Sequence, residues 1–183
     1  MSLDSQFLCS PRLLLRDIRD DDVNANYYRW LNDPEISQYL ETRFLPQSLP
    51  QIAAFVASRR GSLDEQLLAI CLRSDGRHIG NIKLGPINWL HRRAEISLFI
   101  GEKDCWGQGL ASEAIALLCR HAFITLNLNK LMAGAYEGNI GSIRAFEKCG
   151  FQREGLVRDY ALVNSQGVAL VKLGLTAKEA QLS

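Results

Sequence analysis

Trp106-Gly107-Gln108-Gly109-Leu110-Ala111, running straight into Ser112-Glu113-Ala114-Ile115-Ala116-Leu117-Leu118, is the stretch on which the fold turns. Two glycines one residue apart let the backbone bend sharply and let a ligand come close to it. A helix that begins at such a bend aims unpaired N–H groups, and the positive end of its dipole, into the turn. That arrangement takes an anion, most often a phosphate. Arg93-Ala94-Glu95-Ile96-Ser97-Leu98-Phe99-Ile100-Gly101 precedes it and reads as a strand. The unit is therefore strand, glycine turn, helix.

Three kinds of glycine turn compete for this unit. A nucleoside-triphosphate loop needs a Lys after its last glycine and four residues between the glycines; Leu110 follows Gly109 and the spacing differs. A dinucleotide fingerprint needs a third Gly or Ala three residues after the second, and an acid on the next strand. Position 112 is Ser, and Lys130–Tyr136 carries no acid before Glu137. The third pattern is Gln or Arg, two residues, Gly, one residue, then Gly or Ala. Gly109 and Ala111 fit it, with Trp106 in the Gln/Arg place. Downstream lies Asn139-Ile140-Gly141-Ser142-Ile143-Arg144-Ala145-Phe146-Glu147-Lys148-Cys149-Gly150-Phe151, followed by Glu154-Gly155 and Arg158. These two motifs, in this order, resemble the GNAT superfamily of N-acetyltransferases over Leu13 to Thr176. The Trp-Gly-polar-Gly stretch leading to Ala-x-Glu-Ala is similar to the branch of ribosomal-protein N-terminal acetyltransferases.

Working outward, Leu13–Arg16 reads as a first strand after Pro11, and Asp20 as the N-cap of a helix holding Val23, Tyr27, Trp30 and Leu31. That helix ends near Pro34, because the residue before a proline is pushed out of helical geometry. Ser48 caps a second helix, with Pro50 in its first turn and Ile52, Phe55 and Val56 on one face. Gln66–Arg73 and His78–Ile87 are strands joined by the hairpin signal Ser74-Asp75-Gly76-Arg77. A helix from the glycine turn to about Leu126 buries Leu117, Leu118 and Ala122. Lys130–Tyr136 is a strand, and Ile140–Cys149 a short helix stopped by Gly150. Phe151–Ala161 and Val168–Thr176 form a hairpin around Asn164–Gly167. Antiparallel strands first, then strand–helix units, predict an α+β fold: a mixed, twisted sheet with helices on both faces. The same order is that of the GNAT fold.

Composition narrows the setting. The 183 residues, 47% of them apolar, suit one domain with one core, so 1–183 is read as a single N-acetyltransferase domain. A net charge of +1, with no basic stripe, predicts neither nucleic-acid nor membrane partners. Five scattered cysteines without a C-x-x-C pair predict no disulfide framework and no metal site, and point to a reduced, cytoplasmic setting. Neither a signal peptide nor an apolar run of the ~20 residues needed to cross a bilayer is evident. A homodimer is left open.

The resemblance implies acetyl-CoA as co-substrate and an amine as acceptor. Its diphosphate goes to Trp106, Gly107, Gln108, Gly109, Leu110 and Ala111. The pantetheine arm resembles an extended peptide and bonds a strand edge much as an added strand does. In this family that edge is exposed because the strand before the turn splays from the next, here Leu98, Phe99 and Ile100 against Lys130–Tyr136. Gly134 either admits that arm or relieves helix packing. Acetyl transfer needs a neutral amine, a polarised thioester and a proton for the leaving thiolate. Glu95, interrupting the apolar Ala94, Ile96 and Leu98, is the candidate base; otherwise it is a surface carboxylate facing Arg92 or Arg93. The proton donor of many GNATs is a Tyr where this chain has Phe146. The branch that this chain resembles has instead a Ser three residues after the Asn, the place of Ser142. The resemblance implies Ser142 as the donor, with Tyr136 and Tyr160 as alternatives, unless its hydroxyl bonds its own helix turn. Asn139 caps the short helix and in the family also reaches the pantetheine. Trp30, Tyr39, Arg43 and Lys83, with the run Glu41-Thr42-Arg43-Phe44, are expected at the acceptor, a peptide terminus or a small amine such as a nucleotide-linked amino sugar, unless Trp30 and Phe44 are core and the charges solvated. The missing Tyr also admits a non-catalytic acyl-CoA sensor.

Overall fold

The computed structural model describes residues 8–163 and 165–180. Asn164, in the expected hairpin turn, and both chain ends lie outside the described residues. The strands are β1 (Leu8–Cys9), β2 (Leu13–Asp17), β3 (Gln66–Leu72), β4 (His78–Leu84), β5 (Arg93–Ile100), β6 (Lys130–Tyr136), β7 (Gln152–Val163) and β8 (Gln166–Thr176). The helices are α1 (Ala25–Asn32), α2 (Pro34–Ser37), α3 (Leu49–Arg59), α4 (Leu110–Arg120) and α5 (Ile140–Lys148). One sheet orders the strands β1-β2-β3-β4-β5-β6-β8-β7. Every pairing is antiparallel except β5 with β6. This is the mixed sheet of an α+β fold.

Register separates the two faces, since side chains alternate along a strand. Asn81 pairs with Phe99 and Lys83 with Ser97, and on that face α1 and α3 bury Tyr27, Trp30, Ile52 and Val56 with Leu67. The other face carries Leu68, Ile70, Ile82, Leu84 and Ile96, packed against Ala114, Ile115, Leu118 and Cys119 of α4 and Ile143 and Phe146 of α5. Helices thus cover both sides, and the sheet between them presents alternating apolar residues to each.

Several local expectations are corrected. Asp20 does not cap α1. Asp20–Asp22 form one tight 3-10 turn, and Asn24 is the cap, its side chain accepting from the amides of Asn26 at 2.9 Å and Tyr27 at 3.4 Å. The acidic run is tied down before the helix begins, because Asp22 is buried and accepts two bonds from Arg16 at 2.7 and 2.8 Å. The helix after the glycine turn leaves α geometry at His121 and ends in a π turn, His121–Thr125. Its core stripe is Ala114, Ile115, Leu118, Cys119 and Ala122, with Leu117 only half-buried. The hairpin strand β7 runs further than expected and carries two register shifts, between Arg153 and Gly155 and between Val157 and Ala161.

The feature that positions the site is the parallel pair. β5 and β6 are joined only at Arg93/Lys130, Ala94/Leu131 and Glu95/Met132. Beyond Glu95, β5 stays with β4 through Ile100, and β6 stays with β8 through Tyr136. Two strand edges therefore diverge, and the backbone groups between them lack a ladder partner.

Candidate active site

The glycine turn closes the wide end of that opening. Gly107 and Gly109 adopt φ of 72° and 77°, the left-handed region in which a side chain is strained. Gly109 occupies the N-cap position of α4, so no side chain can cap the helix. The first intrahelical bond runs from the Glu113 amide to the Gly109 carbonyl at 3.1 Å. The amides of Leu110, Ala111 and Ser112 precede it and have no partner within the helix. A Cβ on Gly107 would meet nothing within 4 Å, and one on Gly109 only the Arg12 guanidinium at 3.8 Å, so the turn faces open space. Trp106 holds the turn to β5 by donating its indole N–H to the Ile100 carbonyl at 2.8 Å. Gln108 donates to the Asp104 carbonyl at 2.5 Å. The residue types expected around a bound diphosphate thus build a rigid bend with its amides free.

Leu98, Phe99 and Ile100 line the β5 edge of the opening, each half-buried. Phe99 turns its ring into the α1 face, 6.2 Å from Tyr27 and 6.1 Å from Trp30, leaving its backbone as the group that a ligand can meet. Gly134 is exposed on β6; a Cβ there would press on Leu170 of β8 at 3.3 Å. Its packing neighbour is thus a strand side chain and not a helix.

Glu95 stands at the last paired position before the strands part, exposed, on the face shared with Ser97 and Lys83. No described residue bonds its carboxylate, so the alternative pairing with Arg92 or Arg93 is not formed. Asn139 caps α5, its side chain accepting from the Ser142 amide at 3.2 Å. The Ser142 hydroxyl bonds no described residue, and the side chain is half-buried in the first turn of the helix that follows β6. Phe146 is buried edge-to-face on Phe151, with ring centroids 5.0 Å apart, and belongs to the core.

Tyr136 ends β6, almost fully buried, and donates its hydroxyl to the Glu41 carboxylate. Burial, then the Glu41 contact, holds its phenol above the ordinary range. Tyr39 and Tyr160 flank its ring, each with centroids 6.4 Å away. Arg43 stacks over Phe44 at 4.1 Å and over Tyr136 at 5.2 Å, and donates to the carbonyls of Leu40 and Leu162. Lys83 reaches Glu65 at 3.4 Å. Trp30 corrects the acceptor expectation: it is wholly buried, donates to Glu102 at 2.8 Å, and cannot touch a ligand. Its place is set by Gly101, where any side chain would collide with the indole. Tyr39 and Glu41, expected at the acceptor wall from the run around Arg43, do meet Tyr136 there, a partner that the sequence did not indicate. Cys149 donates to the Ser112 carbonyl at 3.1 Å, and burial pushes its thiol up to about 11, which removes it as a nucleophile.

Residues 12–152 match the family model described as an acetyltransferase (GNAT) domain. The chain belongs to the GNAT acetyltransferases. Its N-acetyltransferase relatives include the p20 protein of Bacillus licheniformis, 31% identical over 94% of this chain and 97% of that one. The spermidine N(1)-acetyltransferase of Escherichia coli is 33% identical over 83% of this chain and 75% of its own length. Among solved structures, the Vibrio cholerae spermidine N-acetyltransferase in complex with CoA and spermine superposes with a TM-score of 0.83 at 21% identity, covering 93% of this chain and 99% of that one. The fold is the expected GNAT fold. GNAT acetyltransferases use acetyl-CoA, and the uncapped amides of α4 and the divergent strand edges suit its diphosphate and its amide-bearing arm. Among the described residues no cluster of His, Cys, Asp and Glu could hold a metal ion, and no helix is long and apolar enough to cross a membrane.

Proposed function

We propose that this enzyme transfers the acetyl group of acetyl-CoA directly to a primary amine, with Glu95 as base and Ser142 as proton donor. The observation that carries this reading is the placement of an unpartnered carboxylate where β5 and β6 part. Acetyl-CoA supplies the activated thioester. The Leu110–Ser112 amides hold its diphosphate, and the edges of Leu98–Ile100 and β6 hold its arm. Glu95 accepts the proton that makes the amine nucleophilic, directly or through water. The Ser142 hydroxyl, engaged with no described residue, is free to relay a proton, passing its own to the departing sulfur as it takes one from water. Tyr136 is less suited to that step because Glu41 already takes its hydrogen.

The acceptor wall favours a small cationic amine. Glu41 and Glu95 supply negative charge, and the rings of Tyr39 and Tyr160, less buried than Tyr136, present faces that attract an ammonium. Arg43 is bonded away and only 12% exposed as a side chain, so it offers little repulsion. A polyamine fits this wall, as does the likeness to the spermidine enzyme. A protein N-terminus and a nucleotide-linked amino sugar are the other acceptor classes. Residues 1–183 form one catalytic domain in this reading. Its setting is a reducing cytoplasm, where the free cysteines Cys9, Cys71, Cys105, Cys119 and Cys149 stay unpaired. It needs no nucleic acid or membrane, and light scattering tests the homodimer. The deciding assay follows thiol release from acetyl-CoA against polyamines, peptides with free N-termini and amino-sugar nucleotides. Turnover of polyamines that falls in Glu95→Gln supports the reading. Saturable acetyl-CoA binding without turnover of any amine would instead make the chain a sensor.

A further inference from the structure

Glu113 is an anomaly in a helix that receives a diphosphate. It lies in the first turn of α4, where a carboxylate suits the helix dipole but repels an anion bound at the same end. Its charge is drawn away from the turn. The carboxylate accepts from the Ser10 hydroxyl at 2.5 Å, the Arg12 amide at 3.2 Å and the Arg12 Nε at 2.6 Å, with Arg12 Nη2 also at 2.5 Å. Burial opposes the charge on Glu113, but the Ser10 and Arg12 bonds outweigh it and hold the carboxyl below its ordinary range. Arg12 does more than neutralise. Its Nη1 donates to the Gln108 carbonyl at 3.0 Å, and its Nη2 lies 3.8 Å from where a Gly109 Cβ would stand. The guanidinium is therefore flush with the glycine turn. The pair is also asymmetric: the Glu113 side chain is 18% exposed and Arg12 50%, so the cation remains open to a ligand while the anion is covered.

We infer that Arg12 and Glu113, brought together from the bend before β2 and from α4, set the charge of the coenzyme's diphosphate site, with Arg12 completing it as a cationic wall. This rests on the reading that the glycine turn takes the diphosphate of acetyl-CoA. The pair couples the far edge of the sheet to the coenzyme and makes affinity depend on a residue remote in sequence from both motifs.

Calorimetric titration of coenzyme A, with pantetheine as a probe lacking the diphosphate, tests the inference on the intact chain. Arg12→Ala leaves Glu113 uncompensated and is expected to weaken coenzyme A binding about five- to tenfold, the scale of a charge at a helix terminus, with pantetheine unaffected. Glu113→Gln removes the repulsion and frees Arg12, so binding tightens about threefold. The double variant Arg12→Ala/Glu113→Gln, again neutral, returns to within about twofold of the unaltered protein. In steady state, Arg12→Ala raises KM for acetyl-CoA and leaves the amine KM and kcat in place. A merely structural clamp would weaken binding in both single variants, and that result overturns the inference, as does an unchanged affinity in Arg12→Ala. Should the unaltered protein bind no coenzyme A at all, the underlying reading of the turn fails instead.

Discussion

Replacing Gly109 by Val separates the conformation of the turn from its chemistry. At φ 77° an L side chain costs about 1–2 kcal/mol, and a β-branched one more, although space for it exists. If the turn keeps its shape, that strain appears as lost stability, about 2–8 °C in melting temperature for a chain of this size. If the backbone relaxes to negative φ, the amides of Leu110 and Ala111 rotate away from the ligand. Each charge-assisted hydrogen bond is worth about 1.5–3 kcal/mol, so losing two weakens acetyl-CoA binding at least about 100-fold. Gly61 supplies the control: it sits at φ 67° in open space at the end of α3, outside the proposed site. Gly61→Val should show the same strain in a melting curve with coenzyme affinity unchanged. Calorimetry on both variants reads the difference. A Gly109→Val protein that keeps its melting temperature, its strain relieved by relaxation of the turn, yet binds acetyl-CoA within twofold of the unaltered chain would refute the claim that these amides hold the diphosphate.

Glu95→Gln should lower kcat by about 10²-fold or more while acetyl-CoA affinity stays constant, measured by thiol release and calorimetry; an unchanged kcat removes Glu95 as the base. Gly101→Ala forces a methyl group into the Trp30 indole and should cost about 1–3 kcal/mol by overpacking, seen as a lower denaturant midpoint with an unchanged m value. Stability should also depend on pH through His78 and His121, whose burial lowers both folded values below the ordinary 6.5. The unfolded chain then binds more protons than the folded one as pH falls below about 6.5, so stability declines on acidification from there toward the depressed folded values. His78→Gln should flatten that slope in melting scans between about pH 7 and pH 5; an unaltered slope would show that His78 does not contribute.

What could be read in the sequence was chemistry carried by neighbours along the chain. The glycine turn declares itself because its φ values and free amides are backbone properties, and Asn139 caps α5 three residues ahead of the amide that it accepts. The parting of β5 from β6 followed from the family resemblance, whereas the order of the strands across the sheet was not read from the sequence. Side-chain fates decided at long range were not legible. Trp30 looks like a ligand-contacting aromatic until α1 packs it against Gly101 and Glu102, about seventy residues on. Asp20 looks like a helix cap until Arg16 claims Asp22 from the neighbouring strand and fixes the acidic turn. Tyr136 and Glu41 meet across 95 positions, and Arg12 and Glu113 across 101. No periodicity encodes such pairs, because only the completed sheet brings them together.

Amide chemical shifts and exchange rates, followed residue by residue during a titration with coenzyme A, bear most directly on the proposed coenzyme site. Large, saturable changes are predicted at Gly109–Ser112, with protection spreading along Leu98–Ile100 and Ala133–Ala135. Saturation elsewhere on the molecule, with the Leu110, Ala111 and Ser112 amides unmoved, would contradict it.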